Sequence, residues 1–214
     1  MPTARESLLD AAFAALTYRP WSGVRMVEVA AAAGVSRQTL YNEFGSKDGL
    51  ARALVRREAD AYLAGVEGAL GRQDGAGAEP DPGRRLAAVA DWTVRTARTN
   101  PLVRAVLTGF WGELLPAPPR AGGAGSPASY LPAQRRADAG PPTPVELLGQ
   151  VRDRALAVLE AGRPKEEAEE LARECEVAVR LALSYVVVPA GAEDPSRLVR
   201  ECCAAGAVAA PRSG

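Results

Sequence analysis

The sequence predicts an all-α protein in which three short N-terminal helices, including a helix-turn-helix, are joined by a long helix to a larger helical domain. Apolar residues recur at helical spacing through most of the 214 residues. The chain is 47% hydrophobic but only 5% aromatic, and much of its apolar content is alanine, a strong helix former. No segment shows a convincing strand pattern, so helices alone should build the core.

The first helix is predicted from about Ala4 to Leu16. Thr3 and Glu6 fit a capping box, in which each side chain bonds the backbone of the other residue. The apolar residues behind this cap have helical spacing: Leu8, Leu9, Ala12, Phe13 and Leu16. Pro20 and Gly23 then interrupt the helix.

Two short helices follow, separated by a tight turn. Helix two should run from about Met26 to Ala33 and end at Gly34, which is free to take a positive φ. Ser36 is placed to cap helix three, from Arg37 to Phe44. This arrangement is a helix-turn-helix.

Six further helices are predicted, which brings the total to about nine. Gly45 ends helix three, and Ser46 caps a long fourth helix that reaches about Leu70. A linker rich in Gly, Pro and Asp follows at 71–83, and residues 116–144, rich in Pro, Gly and Ala, are expected to form a mobile loop. The other helices are expected at about 84–99, 102–115, 145–162, 164–188 and 195–208.

The polar residues at the start of helix three are suited to reading DNA. In a helix-turn-helix the second helix lies in the major groove with its N-terminal residues at the base edges. Arg37 is suited to donating to guanine, Gln38 to pairing with adenine, and Thr39 to touching a thymine methyl group. The predicted DNA-binding residues, some of which contact phosphates, are Ser36, Arg37, Gln38, Thr39, Tyr41 and Lys47. Alternatives are core packing for Tyr41 and a solvated charge for Arg37.

The run VEVAAAAGVSRQTLYNEFGSKDGLARAL resembles the N-terminal domain of the TetR family of bacterial transcriptional repressors. The resemblance covers 5–55 by motif and the whole chain by its layout of helices. It implies a DNA-binding domain at 1–47 and a helical ligand-binding and dimerisation domain at 48–214. It also implies a homodimer, a double-stranded DNA operator with two half-sites, and release from DNA when a small molecule binds the C-terminal domain.

One position departs from the family pattern. The family commonly has histidine or tyrosine just before the aromatic residue that Phe44 matches, whereas this chain has Glu43. An acid near phosphate is unfavourable, so Glu43 is expected to face solvent or to pair with a nearby arginine and to contribute nothing to affinity.

The candidate ligand-binding residues lie in the C-terminal half. They are Trp92, Thr96, Phe110, Trp111 and Tyr185, with Tyr130 as a further aromatic candidate. An aromatic wall with few polar groups is typical of small-molecule pockets, which predicts a largely apolar cavity and an apolar effector. Core packing is the alternative for each aromatic residue.

The last two helices are predicted to form the dimer. Both have apolar residues on more than one face, which suits helices packed between their own core and a partner. The candidate interface residues are Val177, Leu181, Leu198, Val199 and Cys202, and Val208 extends the apolar face. Paired crosswise, such helices would form a four-helix bundle with a two-fold axis.

Composition limits the other function classes. The chain has no histidine, so a His-dependent catalytic site and the usual zinc sites are excluded, and no catalytic, metal or cofactor site is predicted. Its formal net charge is zero, with nine basic and eight acidic residues within 1–72, which argues against a non-specific architectural DNA-binding protein. That class and a transcriptional activator are the alternatives to a repressor.

The protein is expected to be cytoplasmic and without a membrane partner. No signal peptide or long uncharged apolar run is present in the sequence. Three cysteines, Cys175, Cys202 and Cys203, are expected to be reduced thiols that serve as small apolar side chains, with a redox sensor as the alternative.

Overall fold

A computed structural model describes residues 2–71, 81–116, 141–160, 164–188 and 194–209 of the chain, with no side chains for residues 165, 166 and 204–209. These residues form nine α-helices and one 3₁₀ turn, and none of them lies in a strand. The all-α prediction is confirmed. Most of the predicted mobile loop lies outside the described residues, as do Tyr130 and the side chain of Val208.

The helix bounds follow the predicted order. They are α1 Ala4–Leu16, α2 Met26–Ala32, α3 Arg37–Phe44, α4 Lys47–Leu70, α5 Pro82–Thr99, α6 Pro101–Thr108, α7 Pro144–Leu159, α8 Lys165–Val187 and α9 Pro195–Ala209, with the 3₁₀ turn at Trp21–Gly23. None of the helices within the described ranges combines the length and apolar character needed to cross a bilayer.

The caps explain where several helices begin. Thr3 and Glu6 form the predicted capping box at α1, and Thr143 and Glu146 form a second one at α7. Asn100 accepts hydrogen bonds from the backbone N–H groups at the start of α6. Each cap satisfies N–H groups that have no partner inside the helix.

One predicted helix is too long. The sequence suggests a helix through Phe110 and Trp111, but α6 ends at Thr108 because Gly109 takes a left-handed conformation with φ of +73°. A left-handed glycine ends a helix by turning its backbone out of the helical path. Phe110 and Trp111 therefore do not continue the helical face of Leu107.

The described residues fall into two compact units. The first contains those within 1–59 and 110–142, and the second those within 60–109 and 143–214. In the first unit, α1, α2 and α3 pack around a small core together with the first part of α4. This core consists of Leu8, Leu9, Ala12, Trp21, Val24, Val29, Leu40, Phe44, Leu50 and Leu54.

The second unit is built from the rest of α4 and the helices α5 to α9. Its core is formed mainly by aliphatic side chains, together with two buried thiols. Its buried residues include Tyr62, Val66, Leu70, Leu86, Leu102, Leu107, Leu147, Leu171, Cys175 and Cys203. The thiols of Cys175 and Cys203 serve as apolar side chains, and burial raises the pKa of Cys175 to about 12 and that of Cys203 to about 11.

Candidate nucleic-acid interface

The turn between α2 and α3 is fixed by one glycine. Gly34 has a φ of +69°, a region that side chains with a Cβ rarely adopt. Its N–H donates to the carbonyl of Ala31, and the Val35 N–H donates to Ala30. The predicted helix-turn-helix is therefore present, and its geometry follows from the backbone freedom of Gly34.

Ser36 caps α3 and also holds Thr39. Its Oγ accepts a hydrogen bond of 3.0 Å from the Thr39 N–H and lies 2.8 Å from Thr39 Oγ1. Ser36 thus helps to organise the first turn of α3. The hydroxyl of Thr39 is held near this cap, with its side chain at the edge of the exposed face.

Two buried residues set the orientation of α3. Leu40 and Phe44 are buried, whereas Ser36, Arg37 and Gln38 are exposed. Because residues four apart lie on the same side of a helix, the pair Leu40 and Phe44 forms the inward face. The first turn of α3 is consequently left open on the opposite side.

The exposed face of α3 is ordered by further side-chain contacts. The guanidinium carbon of Arg37 lies 5.3 Å from the centre of the Tyr41 ring, a cation–π distance. Gln38 Nε2 donates a hydrogen bond of 2.8 Å to Asn42 Oδ1. The polar residues of the first turn are therefore supported by residues one turn further along.

Lys47 occupies the first turn of α4 and reaches back to the 3₁₀ turn. Its Nζ donates to the carbonyl of Ser22 at 3.1 Å and lies 5.5 Å from the centre of the Trp21 ring. An ammonium group has three N–H donors, so this contact leaves two for another acceptor. Lys47 is both an anchor for the start of α4 and a cation near its N-terminus.

Several acids of this unit are paired with nearby arginines. Glu43 lies 3.5 Å from Arg5, and Glu28 forms an ion pair with Arg19. The expectation that Glu43 pairs with an arginine is confirmed. Arg57 lies 2.6 Å from Asp10 and 2.7 Å from Glu58.

Residues 8–54 match the family model of bacterial regulatory proteins of the TetR family. This match covers the whole helix-turn-helix described above. Residues 8–54 therefore form a DNA-binding domain of the TetR-family type. The match agrees with the prediction of a DNA-binding regulatory domain at the N-terminal end of the chain.

Two curated relatives come from Mycobacterium tuberculosis. The HTH-type transcriptional regulator AlkX of strain H37Rv is 48% identical over 66 residues, which is 31% of each chain. An uncharacterised HTH-type transcriptional regulator of strain CDC 1551 is 36% identical over 107 residues, which is 49% of each chain. The matched region spans about a third to a half of the length of these relatives.

A likeness over nearly the whole chain is found among solved TetR-family structures. The TetR/AcrR-family regulator of Thermobifida fusca is 13% identical, covers 97% of this chain and 98% of its own, and has a TM-score of 0.57. This likeness shows that the overall fold is that of the TetR family.

The candidate ligand residues do not all belong to one unit. Trp92 is half-buried, its indole N–H donates to the Tyr62 carbonyl at 3.1 Å, and its ring lies against Gly65. Thr96 is half-buried on the same helix, one turn after Trp92. Phe110 is 78% exposed and Trp111 half-buried, and both belong to the unit that contains the helix-turn-helix.

Tyr185 borders an open cavity of about 600 Å³ formed by α8 and α9. The cavity lining includes Leu181, Leu183, Val187 and Leu198. Among the candidate interface residues, Val177 is 50% exposed, Leu181 and Leu198 are half-buried and Cys202 is exposed. Val199 is buried within its own unit.

Sequence reasoning overlooked two contributors to the helix-turn-helix. Asn42 is the partner of Gln38, and Arg5 is the partner of Glu43. The first could have been found from its spacing of four residues in a predicted helix. The second joins residues 38 positions apart, and no local pattern indicates it.

Proposed function

We propose that this TetR-family regulator is a repressor that binds a palindromic operator as a homodimer and leaves it when a small, largely apolar molecule binds the C-terminal domain. The observation that carries the proposal is the division of α3. Leu40 and Phe44 are buried, while Ser36, Arg37 and Gln38 are exposed on its first turn. A recognition helix contacts base edges with this turn.

Each residue of the exposed turn has a distinct task in the proposal. Arg37 donates to guanine, Gln38 pairs with adenine, and Thr39 touches a thymine methyl group or a phosphate. The ring of Tyr41 supports Arg37, and its hydroxyl donates to a phosphate. Lys47 uses its remaining N–H donors for a second phosphate.

In this proposal, affinity for the operator comes from specific contacts and not from the net charge of the chain. The chain has 26 basic and 26 acidic residues, so non-specific counterion release is a weak driving force. The pairing of Glu43 with Arg5 supports the proposal, because it offsets a carboxylate that would otherwise repel phosphate. We expect binding that depends strongly on base sequence and only moderately on salt.

The homodimer is proposed from the exposed apolar surface of α8 and α9. Val177, Leu181 and Leu198 are wholly or partly exposed, and Val187 and Val188 continue this surface with 54% and 70% exposure. Apolar surface of this kind is typical of a protein interface. A two-fold axis through it would give two recognition helices one DNA turn apart, at roughly 34–36 Å.

The effector is proposed to bind in the second unit, near Trp92, Thr96 and Tyr185. Trp92 touches α4 through Gly65 and Tyr62, and α4 continues into the unit that contains the helix-turn-helix. A ligand that displaces the indole would therefore act on α4. The ligand would shift the equilibrium between the DNA-binding conformation and the released conformation. The size of this shift is set by the difference between its affinities for the two conformations.

The test is a gel-shift titration with the DNA upstream of the protein's own gene. Wild type should give a discrete complex, and Arg37→Ala and Gln38→Ala should each lose at least about 5-fold in affinity for it. Arg98→Ala, an exposed arginine on α5, serves as the matched control and should bind like wild type. No discrete complex, or equal loss with the control, would refute operator binding through α3.

The regulatory part is tested separately with a reporter gene under that upstream DNA. Deleting the regulator should raise expression if it represses and lower expression if it activates. A panel of fatty acids, alkanes and aromatic compounds should include one that dissociates the complex in the gel shift. Trp92→Ala should weaken that response, because the indole that the compound is proposed to displace is then absent.

A further inference from the structure

The exposed face of α3 carries a second amide one turn after Gln38. Both Gln38 and Asn42 are exposed, and Gln38 Nε2 donates to Asn42 Oδ1 at 2.8 Å. We propose that Asn42 is a specificity-determining residue that holds the Gln38 amide in the orientation that reads adenine. This inference rests on the operator binding proposed above.

The chemistry of a primary amide allows both contacts at once. A glutamine amide has one carbonyl oxygen and two N–H donors. It pairs with adenine through the oxygen, which accepts from N6, and one N–H, which donates to N7. The second N–H takes no part in that pairing, and the proposal assigns this donor to Asn42 Oδ1. The bond to Asn42 thus leaves the adenine-reading atoms available.

The side chains next to Gln38 and Asn42 in sequence contact other residues. Arg37 lies over Tyr41, and Thr39 lies within hydrogen-bond distance of Ser36. Glu43, which follows Asn42 in sequence, is paired with Arg5. Hydrogen bonding around Gln38 is therefore defined by Asn42.

Holding the amide in advance reduces the entropy that binding costs. A free glutamine side chain loses several rotamers when it docks on a base. The bond to Asn42 restricts those rotamers before DNA arrives, and preorganisation of this kind raises affinity for the matching partner. It should favour adenine over the other bases, because only a correctly turned amide meets both N6 and N7.

The experiment selects sites from a randomised duplex DNA library with the full-length protein. Wild type is compared with Gln38→Ala, Asn42→Ala, Asn42→Asp and the double variant Gln38→Ala with Asn42→Ala. Base preferences are then measured on the selected site with each base at each position. Thermal unfolding of every variant establishes that each is folded at the assay temperature.

Wild type should select a half-site with one adenine whose preference falls about 5- to 150-fold in Gln38→Ala. Asn42→Ala should lower the preference at that same position by about 2- to 10-fold, the range for loss of one hydrogen bond. The double variant should match Gln38→Ala, since Asn42 acts through Gln38. Asn42→Asp keeps the acceptor, so it should keep the adenine preference while binding every sequence more weakly.

Three results would overturn the inference. Full adenine preference in Asn42→Ala would show that Gln38 needs no support. A change at a base that Gln38→Ala leaves unaffected would make Asn42 a direct reader instead of a positioning residue. A wild-type protein that selects no recurring site would overturn the proposed function itself, and this inference with it.

Discussion

Arg5, on α1, contacts both Glu43 and Phe44 at the end of α3, an arrangement called the clamp below. Its Nη1 lies 3.5 Å from Glu43 Oε2 and 3.4 Å from the Glu43 carbonyl oxygen, and its guanidinium carbon lies 4.7 Å from the centre of the Phe44 ring. A cation near the C-terminus of a helix also interacts favourably with the helix dipole. One side chain thus both offsets the acid that departs from the family pattern and holds the recognition helix.

The first prediction concerns this clamp. Arg5→Ala should lower operator affinity about 3- to 10-fold at low salt, because Glu43 would then repel nearby phosphate. Its effect on the free energy of unfolding should be at most about 1 kcal/mol, since the pair is partly exposed. Gel shifts at two salt concentrations and urea unfolding measure the two effects.

The control for the clamp is the double variant Arg5→Ala with Glu43→Gln. Removing the charge of Glu43 should restore most of the lost affinity, and the difference from wild type should shrink as salt increases. An equal loss in the double variant would mean that Arg5 acts by contacting DNA itself.

The second prediction separates the cap of α3 from its contact with DNA. Ser36→Ala should destabilise the protein by about 1 kcal/mol, because the Thr39 N–H loses its acceptor. Ser36→Asp retains an acceptor, so it should keep the stability but weaken DNA binding by placing a negative charge near phosphate. Urea unfolding measures the stability of both variants, and gel shifts measure their affinity for DNA. Stability and affinity that changed together in both variants would contradict the prediction.

The third prediction concerns the close contact of α4 with α5. A Cβ at Gly65 would lie 2.0 Å from Trp92 Cζ2, so Gly65→Ala should cost about 1–3 kcal/mol of stability. Gly68→Ala, three residues away on the same helix, meets no atom within 4 Å and should stabilise by up to about 1 kcal/mol. Thermal unfolding of both variants is the measurement. A loss of stability at position 65 with a gain at position 68 would show that the Trp92 ring, and not helix propensity, excludes a larger residue at position 65.

The fourth prediction is a loss of stability in alkali through Tyr62. Its hydroxyl is buried 2.9 Å from Thr93 Oγ1, and desolvation raises the pKa of Tyr62 from 10.0 to about 12. Above pH 10 the unfolded chain loses this proton before the folded chain does, so stability falls as pH rises from about 10 to 12. The contribution is about 2–3 kcal/mol from a shift of about two pKa units.

Tyr62→Phe is the control for this alkaline effect. It removes the titrating group, so the fall in stability between pH 10 and 12 should be smaller than in wild type. Urea unfolding across that pH range measures the difference. Identical pH profiles for the two proteins would contradict the burial of Tyr62 as the cause.

The fifth prediction uses the three thiols. Cys175 and Cys203 are buried with raised pKa values, so iodoacetamide at pH 8 should label them only when the protein unfolds. Cys202 is exposed on α9 and should be labelled in the folded protein. If Cys202 lies at the proposed dimer interface, its labelling should slow as protein concentration rises. Mass spectrometry of the labelled peptides, with Cys202→Ser as reference, distinguishes these sites.

Features that depend only on short-range rules can be predicted from the sequence. The capping box of Thr3 and Glu6, the turn at Gly34 and the cap at Ser36 are set by side chains within a few residues of one another. The inward pair Leu40 and Phe44 follows from helical spacing. These local rules also explain why the family pattern is readable at 8–54.

Other features could be seen only in the tertiary structure. They are contacts between residues distant in sequence, and one helix end where a glycine and an apolar pattern indicate different structures. The bond of Arg5 to Glu43 and the packing of Trp92 against Gly65 join different helices, which periodicity within one helix cannot indicate. The apolar pattern continues beyond Thr108, but α6 ends there because Gly109 has a left-handed backbone conformation. The physical reason is that local hydrogen bonding fixes where helices begin, whereas packing between helices fixes what their side chains touch.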